Sequence, residues 1–389
     1  MLLALSGCHE ERRELPQLAL DSLGIVGGGP STRRAVIPFV GATFCTATLL
    51  APNLVLTAKH CVTPLLPGPF NCDESGTRLL PEGAVAPDAG RFGDVVSLDE
   101  IEVGFDGASS FAPHAREVIV SPGGDFCASD LAVIVLDREV DDPVLAPVRL
   151  SAEPTTGEPL VAVGHGVVTG TDPSPILMER AVTVLAVGPA PKQGAADAVQ
   201  PGFFAVSEAM CRGDSGSPAL AQSGAVVGVA NAISNPGVFS PDGSAEDCVG
   251  SLARGKYQST RDQSEVIRRG FAAAAATLWE EGQPDPRVAL GGFGDTCAVD
   301  HDCRSNVCIQ ARNDGSVCSQ GCLGTECPDG FECAEVDDRK RCVNQVDEAD
   351  GTTSGESEGC NAGAATPDRG AFGLIASLLV IAARSARRR

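Results

Sequence analysis

The sequence predicts an all-β protein followed by a small disulfide-rich module. Short apolar runs follow one another between residues 34 and 230, separated by glycine and proline, and helical periodicity is almost absent there. This pattern is typical of antiparallel barrels or sandwiches. The module is indicated by eight cysteines crowded between Cys297 and Cys342. The predicted strands are 35–40, 47–50, 54–57, 117–120, 131–136, 160–163, 181–187 and 225–230.

Length and charge limit the possible classes of protein. The chain has 389 residues, which is enough for more than one domain, and residues 25–281 alone suffice for a full core. Aromatic residues make up 4% of the chain, so the core is expected to be mostly aliphatic. The formal net charge of -22 argues against a nucleic-acid partner, because phosphate binding needs a basic surface.

The 16 cysteines divide into groups that indicate the compartment. Six lie within residues 25–281 and eight within 297–342, while Cys8 and Cys360 stand alone near the two ends. Even numbers inside each candidate domain predict disulfides formed outside the cytoplasm. The two single cysteines are predicted to be processing sites.

One stretch, residues 211–218, reads Cys-Arg-Gly-Asp-Ser-Gly-Ser-Pro and contains a candidate nucleophile, Ser215. A serine hydroxyl is a poor nucleophile at neutral pH, so it needs a neighbouring base and amides directed at the developing oxyanion. Gly213 and Gly216 would allow a tight turn and the close approach of a substrate. Taken alone, the stretch is also compatible with an ordinary loop.

Two further stretches supply the missing partners in the order His, Asp, Ser. Residues 56–61, Leu-Thr-Ala-Lys-His-Cys, offer His60 as a base, and residues 129–133, Ser-Asp-Leu-Ala-Val, offer Asp130 as a carboxylate at the head of an apolar strand. Together with Ile-Val-Gly-Gly at 25–28, these motifs resemble the trypsin/chymotrypsin family of serine endopeptidases. The resemblance covers residues 25–281.

The resemblance implies a fold and a reaction. The fold would be two six-stranded antiparallel barrels with the active site between them. His60 would take a proton from Ser215, Asp130 would hold the imidazole in the right tautomer, and the amides of Gly213 and Ser215 would bind the oxyanion. No metal or cofactor is expected, and the substrates would be proteins or peptides. The rival residues are His165 for the base, Asp125 for the carboxylate and Ser217 for the hydroxyl.

The resemblance also indicates a specificity pocket and an activation site. Ala209 would form the pocket floor, with Ile233 and Gly255 on its walls. A buried carboxylate is needed there to pair with a lysine or arginine of the substrate, so Ala209 favours small or medium apolar side chains. In the family, a new N-terminus pairs with the aspartate before the serine, here Ile25 with Asp214.

Three disulfides are predicted in residues 25–281. Two follow from the resemblance: Cys45–Cys61 closes the histidine loop, and Cys211–Cys248 lies beside the specificity pocket. Cys72 and Cys127 remain, and their bridge is predicted by elimination. Residues 64–90, rich in proline, glycine and acids, are interpreted as a surface insertion.

A helix is expected after the barrels. Asp262 and Glu265 form an N-terminal capping signature, and an apolar face follows at helical spacing. Its members are Val266, Ile267, Phe271, Ala274 and Leu278. By the resemblance, this helix should pack on the second barrel.

The remaining segments indicate export and attachment. Residues 1–24 are interpreted as a shortened lipoprotein signal with Cys8 as the lipidated residue, followed by a pro-segment.

The segments after the helix begin with a predicted linker at residues 282–296. Residues 297–342 are predicted to form a module with four disulfides; zinc binding is the rival interpretation, but no Cys-x-x-Cys spacing occurs there. Residues 343–370 are a predicted acidic stalk containing Cys360. Residues 371–389, apolar and then arginine-rich, complete a tail that resembles the MYXO-CTERM sorting signal, for which a short membrane anchor is the alternative.

The sequence therefore predicts an exported serine endopeptidase on a bacterial cell surface or outer membrane, or secreted. The competing hypothesis is a catalytically silent binding or adhesion protein on the same fold. A third is that the cysteine-rich module carries the function and the protease only matures the chain.

Overall fold

The computed structural model describes residues 25–104, 113–166, 176–192, 197–235, 248–310, 315–322, 326–336 and 339–344. Cys8, Cys360 and the apolar segment 371–389 lie outside the described residues. Within the described part of the chain, no helix is both long enough and apolar enough to cross a membrane.

The first half of the chain forms an antiparallel sheet of six strands in the order β7-β2-β3-β4-β9-β8. In addition, β1 joins the second sheet, and β5 and β6 form a separate hairpin. The strands are β1 Gly29–Pro30, β2 Val36–Val40, β3 Phe44–Ala51, β4 Leu54–Thr57, β5 Asn71–Cys72, β6 Arg78–Leu79, β7 Glu102–Val103, β8 Ala115–Val120 and β9 Ala132–Leu136.

The second half forms a closed barrel. Its sheet has the order β1-β11-β10-β13-β14-β15-β12, and a further pairing of β11 with β12 closes the six strands β10 to β15 into a ring. The strands are β10 Pro159–Gly164, β11 Met178–Val187, β12 Phe203–Val206, β13 Pro218–Leu220, β14 Val226–Ser234 and β15 Arg254–Ser259. The described pairings of the first sheet include none between β7 and β8, so that sheet is a half-barrel beside a closed one.

The predicted helix is present, but two expectations about it were wrong. It spans Ser264–Ala273 with Gln263 at its N-cap and no side-chain cap, because the Asp262 carboxylate instead accepts hydrogen bonds from Gln258 and Gln263. It packs on the first sheet, not on the second barrel. A Cβ added to Gly270 would collide with Val133 of β9, which shows how closely the helix and that strand approach.

The cysteine-rich module consists of two similar disulfide hairpins. Its strands are β16 Cys308–Gln310, β17 Ser316–Cys318, β18 Phe331–Val336 and β19 Arg339–Asn344. The bridges Cys297–Cys308 and Cys303–Cys318 span 11 and 15 residues, and Cys322–Cys333 and Cys327–Cys342 repeat the same two separations. The module is therefore an internal repeat, with two disulfides supporting each small hairpin.

Asp141 attaches this module to the first sheet. Its carboxylate lies 2.7 Å from Arg339 and 3.6 Å from Arg341, while the neighbouring Asp142 amide donates to the Ser305 carbonyl. Burial raises the pKa of Asp141, and the two arginines lower it. Because Asp141 follows β9, the module contacts the sheet at the end of β9 remote from Asp130.

Candidate active site

His60 and Asp130 meet because β4 and β9 are antiparallel neighbours. Thr57, at the end of β4, pairs with Ala132, at the start of β9. The chain continues from β4 into a short 3-10 helix, Lys59–Cys61, which carries His60. His60 Nδ1 lies 2.7 Å from Asp130 Oδ2, and the His60 main-chain amide donates to Asp130 Oδ1 at 2.8 Å. One carboxylate thus fixes both the ring and the backbone of the histidine.

Asp130 is fully buried, and the second barrel supplies its other partners. The Asn231 side chain, on β14, donates to Asp130 Oδ2 at 2.7 Å. The Gln258 side chain, on β15, accepts from the Asp130 amide at 3.0 Å. The sequence prediction did not include either residue; for Asn231 the available signal was a polar side chain in the largely apolar strand β14.

Ser215 lies on a loop that contacts the histidine segment. The Thr46 amide donates to the Ser215 carbonyl at 2.8 Å, and the adjacent Cys45 is disulfide-bonded to Cys61, next to His60. A Cβ added to Gly216 would come within 3.0 Å of the Ala58 nitrogen. Ser215 is partly exposed, and its hydroxyl forms no hydrogen bond with any described residue.

The same loop carries two main-chain amides that are not used within the described residues. The Asp214 amide closes a turn on the Cys211 carbonyl, with Gly213 at φ 84°, a conformation that favours glycine. The Ser217 amide holds the Asp214 carbonyl at 2.9 Å, so the N–H of the same peptide, that of Ser215, points the opposite way. Among the described residues, neither the Gly213 nor the Ser215 amide donates a hydrogen bond. Both remain available to an oxyanion.

Asp214 points away from this pair of amides into the second barrel. Its carboxylate accepts from the amides of Gly166 and Cys211 at 2.8 Å and of Ile25 at 3.2 Å. Side chains at Gly164 and Gly166 would collide with the carboxylate, so both glycines are needed there. Burial raises the pKa of Asp214 to about 6, although the three amides lower it. The predicted neighbours Ile25 and Asp214 therefore meet.

The predicted pocket residues also lie together. Ile233 and Gly255 are opposite each other on β14 and β15. Ala209 is buried in the apolar core of the second barrel, and Ile233 packs against that core. Met210, absent from the prediction, is buried in this core too, and its sulfur would lie 2.8 Å from a Cβ added at Gly255. Its signal in the sequence was its position directly after Ala209. The space at Gly255 is therefore partly filled by Met210.

The alternative candidates for the carboxylate, the hydroxyl and the base have other surroundings. The Asp125 carboxylate accepts from the Cys127 amide, and Ser217 is fully buried. His165 is 9% exposed, and its amide donates to the Thr46 hydroxyl. The carboxylate of Glu208, the residue before Ala209, lies 3.1 Å from the Arg180 guanidinium.

All three predicted disulfides of this region are present in the structure. They are Cys45–Cys61, Cys72–Cys127 and Cys211–Cys248. The cysteines that cluster with His60 are thus oxidised, so they cannot serve as thiolate ligands for a metal.

Comparison with known protein families finds a matching domain. Residues 45–229 match the family model of the trypsin-like peptidase domain. The fold is trypsin-like. No curated protein matches the chain.

Two solved structures are similar at low identity. Neuropsin, a serine protease expressed in the limbic system of mouse brain, is 17% identical, with a TM-score of 0.40 over 62% of this chain and 98% of its own. A scabies mite inactivated protease paralogue is 18% identical, with a TM-score of 0.43 over 64% of this chain and 98% of its own.

The buried Asp214 leads to a pH prediction for the trypsin-like domain. The pKa of Asp214 in the folded protein, about 6, lies above the ordinary 3.8. The contribution of its protonated carboxyl to the free energy of unfolding is therefore fully present below about pH 4 and is lost as the pH rises toward 6. We expect urea unfolding of the full chain to lose about 3 kcal/mol over this range through Asp214. A chain that begins at Ile25 places an ammonium beside the carboxylate and should lack this loss.

Both proteins would carry Ser215→Ala to prevent autolysis, and the full chain with Asp214→Asn gives the background from all other groups. Equal pH dependence in the full chain and in the chain that begins at Ile25 would contradict the pairing of the new N-terminus with Asp214.

Lys59, beside His60, is a buried cation that the sequence prediction did not single out. It is 5% exposed and donates to the carbonyls of Ser121 at 3.0 Å and Gly123 at 2.7 Å. Burial lowers the pKa of Lys59, and Asp130 and Asp125 raise it. This side chain ties the histidine segment to the loop that precedes Asp130.

We expect Lys59→Met to lower the free energy of unfolding by about 3 kcal/mol, because two carbonyls lose a charged donor. Urea denaturation measures the change. Lys192→Met is the matched control, since that lysine is 65% exposed and lies 3.7 Å from Asp197; it should change stability by less than about 0.5 kcal/mol. Equal effects of the two substitutions would contradict the role assigned to Lys59.

Proposed function

We propose that the protein is a serine endopeptidase in which Ser215, His60 and Asp130 form the catalytic triad. The observation that carries the proposal is the buried Asp130 carboxylate 2.7 Å from His60 Nδ1, which leaves Nε2 as the basic nitrogen. The main-chain amides of Gly213 and Ser215, which donate no hydrogen bond to any described residue, support the same reaction. A silent binding protein has no need for this set of groups.

In the proposed mechanism, His60 Nε2 accepts the Ser215 proton as Oγ attacks the peptide carbonyl. The negative charge that develops on the carbonyl oxygen is stabilised by the amides of Gly213 and Ser215, each worth on the order of 3 kcal/mol. His60 then protonates the leaving amine. Water, activated by the same imidazole, hydrolyses the acyl-enzyme, and Asp130 stabilises the imidazolium at each step.

The proposed substrates have small or medium apolar side chains before the cleaved bond. Ala209 offers no charge at the pocket floor, and Met210 occupies space beside Gly255. An unpaired lysine or arginine in such a pocket would be strongly disfavoured.

Met210→Gly should therefore widen the pocket. We expect kcat/KM for peptides with leucine or phenylalanine before the cleaved bond to rise at least tenfold relative to peptides with alanine, since one methylene is worth 10- to 200-fold. A peptide series that differs only at this position measures the ratio. An unchanged ratio would show that Met210 does not limit the pocket.

We also propose that the protein is exported and attached to the cell surface. Seven disulfides account for all fourteen cysteines of the described residues, which supports an oxidising compartment. Lipidation of Cys8 and processing at Cys360 would provide the attachment. Mass spectrometry of the mature protein from membranes tests both: an unmodified Cys8 and an intact tail would contradict the proposal.

Endopeptidase activity itself is tested with an unfolded protein substrate. We expect the mature chain to cut it internally and to create new N-termini that follow apolar residues, and a fluorophosphonate should stop the cleavage. His60→Ala is the matched variant and should yield no products above background. Binding of the substrate without cleavage by correctly processed protein would favour the silent binding protein.

A further inference from the structure

A chain of aromatic contacts connects the insertion at residues 64–90 to His60. Phe126 contacts the imidazole, with ring centroids 5.7 Å apart and an interplanar angle of 66°. Phe70 belongs to the insertion and Phe92 follows it directly in the chain; their ring centroids lie 5.8 and 6.4 Å from that of Phe126. We call Phe70, Phe92 and Phe126 the aromatic clamp. It joins an otherwise largely exposed insertion to the proposed base.

Several contacts hold the clamp in place. The Phe126 amide donates to the Gly90 carbonyl at 3.0 Å, and the Phe92 amide donates to the Gly124 carbonyl at 3.1 Å. A Cβ added at Gly90 would lie 2.6 Å from the Phe70 ring, so glycine is needed for that ring to approach. Long insertions are usually mobile unless they are tied down. Here the contacts that hold the insertion involve Phe126, the ring that lies against His60.

A disulfide and a cation–π contact also hold the aromatic clamp in place. The disulfide Cys72–Cys127 joins the insertion to the residue after Phe126. In addition, the Lys59 ammonium lies 4.3 Å from the centroid of the Phe92 ring. Since Lys59 and His60 are consecutive, the aromatic clamp is connected to the histidine both through the backbone at Lys59 and through the Phe126 ring.

We propose that Phe126 is a positioning residue that fixes the orientation of the His60 imidazole, and that the insertion serves to hold it there. This inference rests on the proposed function. Asp130 fixes the Nδ1 atom and the His60 backbone, but rotation of the ring about its bond to Asp130 would still displace Nε2. A ring packed against the imidazole restricts this rotation, and displacements of about 1 Å can cost 10²-fold in rate.

The test compares Phe126→Leu, which keeps apolar volume but loses the ring, with Phe126→Tyr, which keeps the ring, in the full chain. We expect Phe126→Leu to reduce kcat and the rate of fluorophosphonate labelling about tenfold with KM unchanged, and Phe126→Tyr to retain most of both. The control is Phe293→Leu, since Phe293 packs on Phe331 in the cysteine-rich module at 4.7 Å. This control variant should have the same kcat and the same rate of fluorophosphonate labelling as the unsubstituted chain.

The disulfide provides a second variant. Cys72→Ser with Cys127→Ser should reduce labelling to a similar extent, while Cys322→Ser with Cys333→Ser in the module should not. A labelling rate for Phe126→Leu equal to that of the unsubstituted chain would overturn the proposal. So would a raised KM with unchanged kcat, because the ring would then contact the substrate rather than position the base.

A readout independent of activity separates this inference from the proposed function. The proton on His60 Nδ1, held by Asp130, should give a strongly downfield proton NMR signal. We expect Phe126→Leu to shift or broaden this signal, whereas Phe293→Leu should leave it unchanged. If the unsubstituted chain shows the signal but is never labelled, the proposed function fails. If Phe126→Leu leaves the signal unaltered, the positioning role fails.

Discussion

Ser215→Ala should reduce kcat for peptide hydrolysis by about 10⁶-fold, because the proposed reaction then has no nucleophile. The loss should be nearly the same for His60→Ala and for the double variant, since the two side chains act as one unit. Substrate binding should persist, because the proposed pocket around Ala209 and Gly255 is unaltered. Steady-state kinetics on one cleavable peptide, with binding to the inactive variants measured separately, checks the expectation.

Ser217→Ala is the matched control, since this hydroxyl is buried two residues away. It should retain activity within about tenfold. Independent and additive losses for Ser215→Ala and His60→Ala would contradict a concerted proton transfer between them.

Asp130→Asn should lower kcat about 10⁴-fold while the protein remains folded. The Asp130 carboxylate accepts from the His60 amide at one oxygen, and it meets both His60 Nδ1 and the Asn231 side chain at the other. An asparagine has only one oxygen, so its amino group must face one of these sites. Facing Nδ1, it would stabilise the wrong tautomer, in which Nε2 carries the proton and cannot act as a base.

The pH–rate profile and circular dichroism of Asp130→Asn check this result. Asp125→Asn is the control, because that carboxylate accepts from the Cys127 amide and has no hydrogen bond to His60. A decrease of less than tenfold in folded Asp130→Asn would mean that Asp130 does not orient the base.

Much of the fold and the candidate site could be predicted because the signals are local in sequence. Strand β4 was predicted with its observed bounds, since a short apolar run between turn residues is visible without any partner. The segments around His60, Asp130 and Ser215 were each recognisable as motifs. Their catalytic roles stay predictions, but the structure brings His60 against Asp130 and places the backbone of Ser215 beside the histidine segment.

What the sequence did not reveal depends on contacts between distant segments. Asn231 and Phe126 reach the triad only after the sheets form, and neither residue type at those positions signals its partner. The packing of the helix was wrongly assigned because an apolar face predicts burial but not which surface covers it. Gly270, which allows close approach to β9, was the one local clue.

The central claim is that His60 activates Ser215, and the position of a covalent adduct tests it most directly. Mature protein would be treated with a fluorophosphonate, digested and mapped by mass spectrometry, alongside His60→Ala. We predict one adduct, on Ser215, formed at least 10³-fold more slowly in His60→Ala. An adduct on another residue, or labelling of Ser215 at the same rate without His60, would contradict the account.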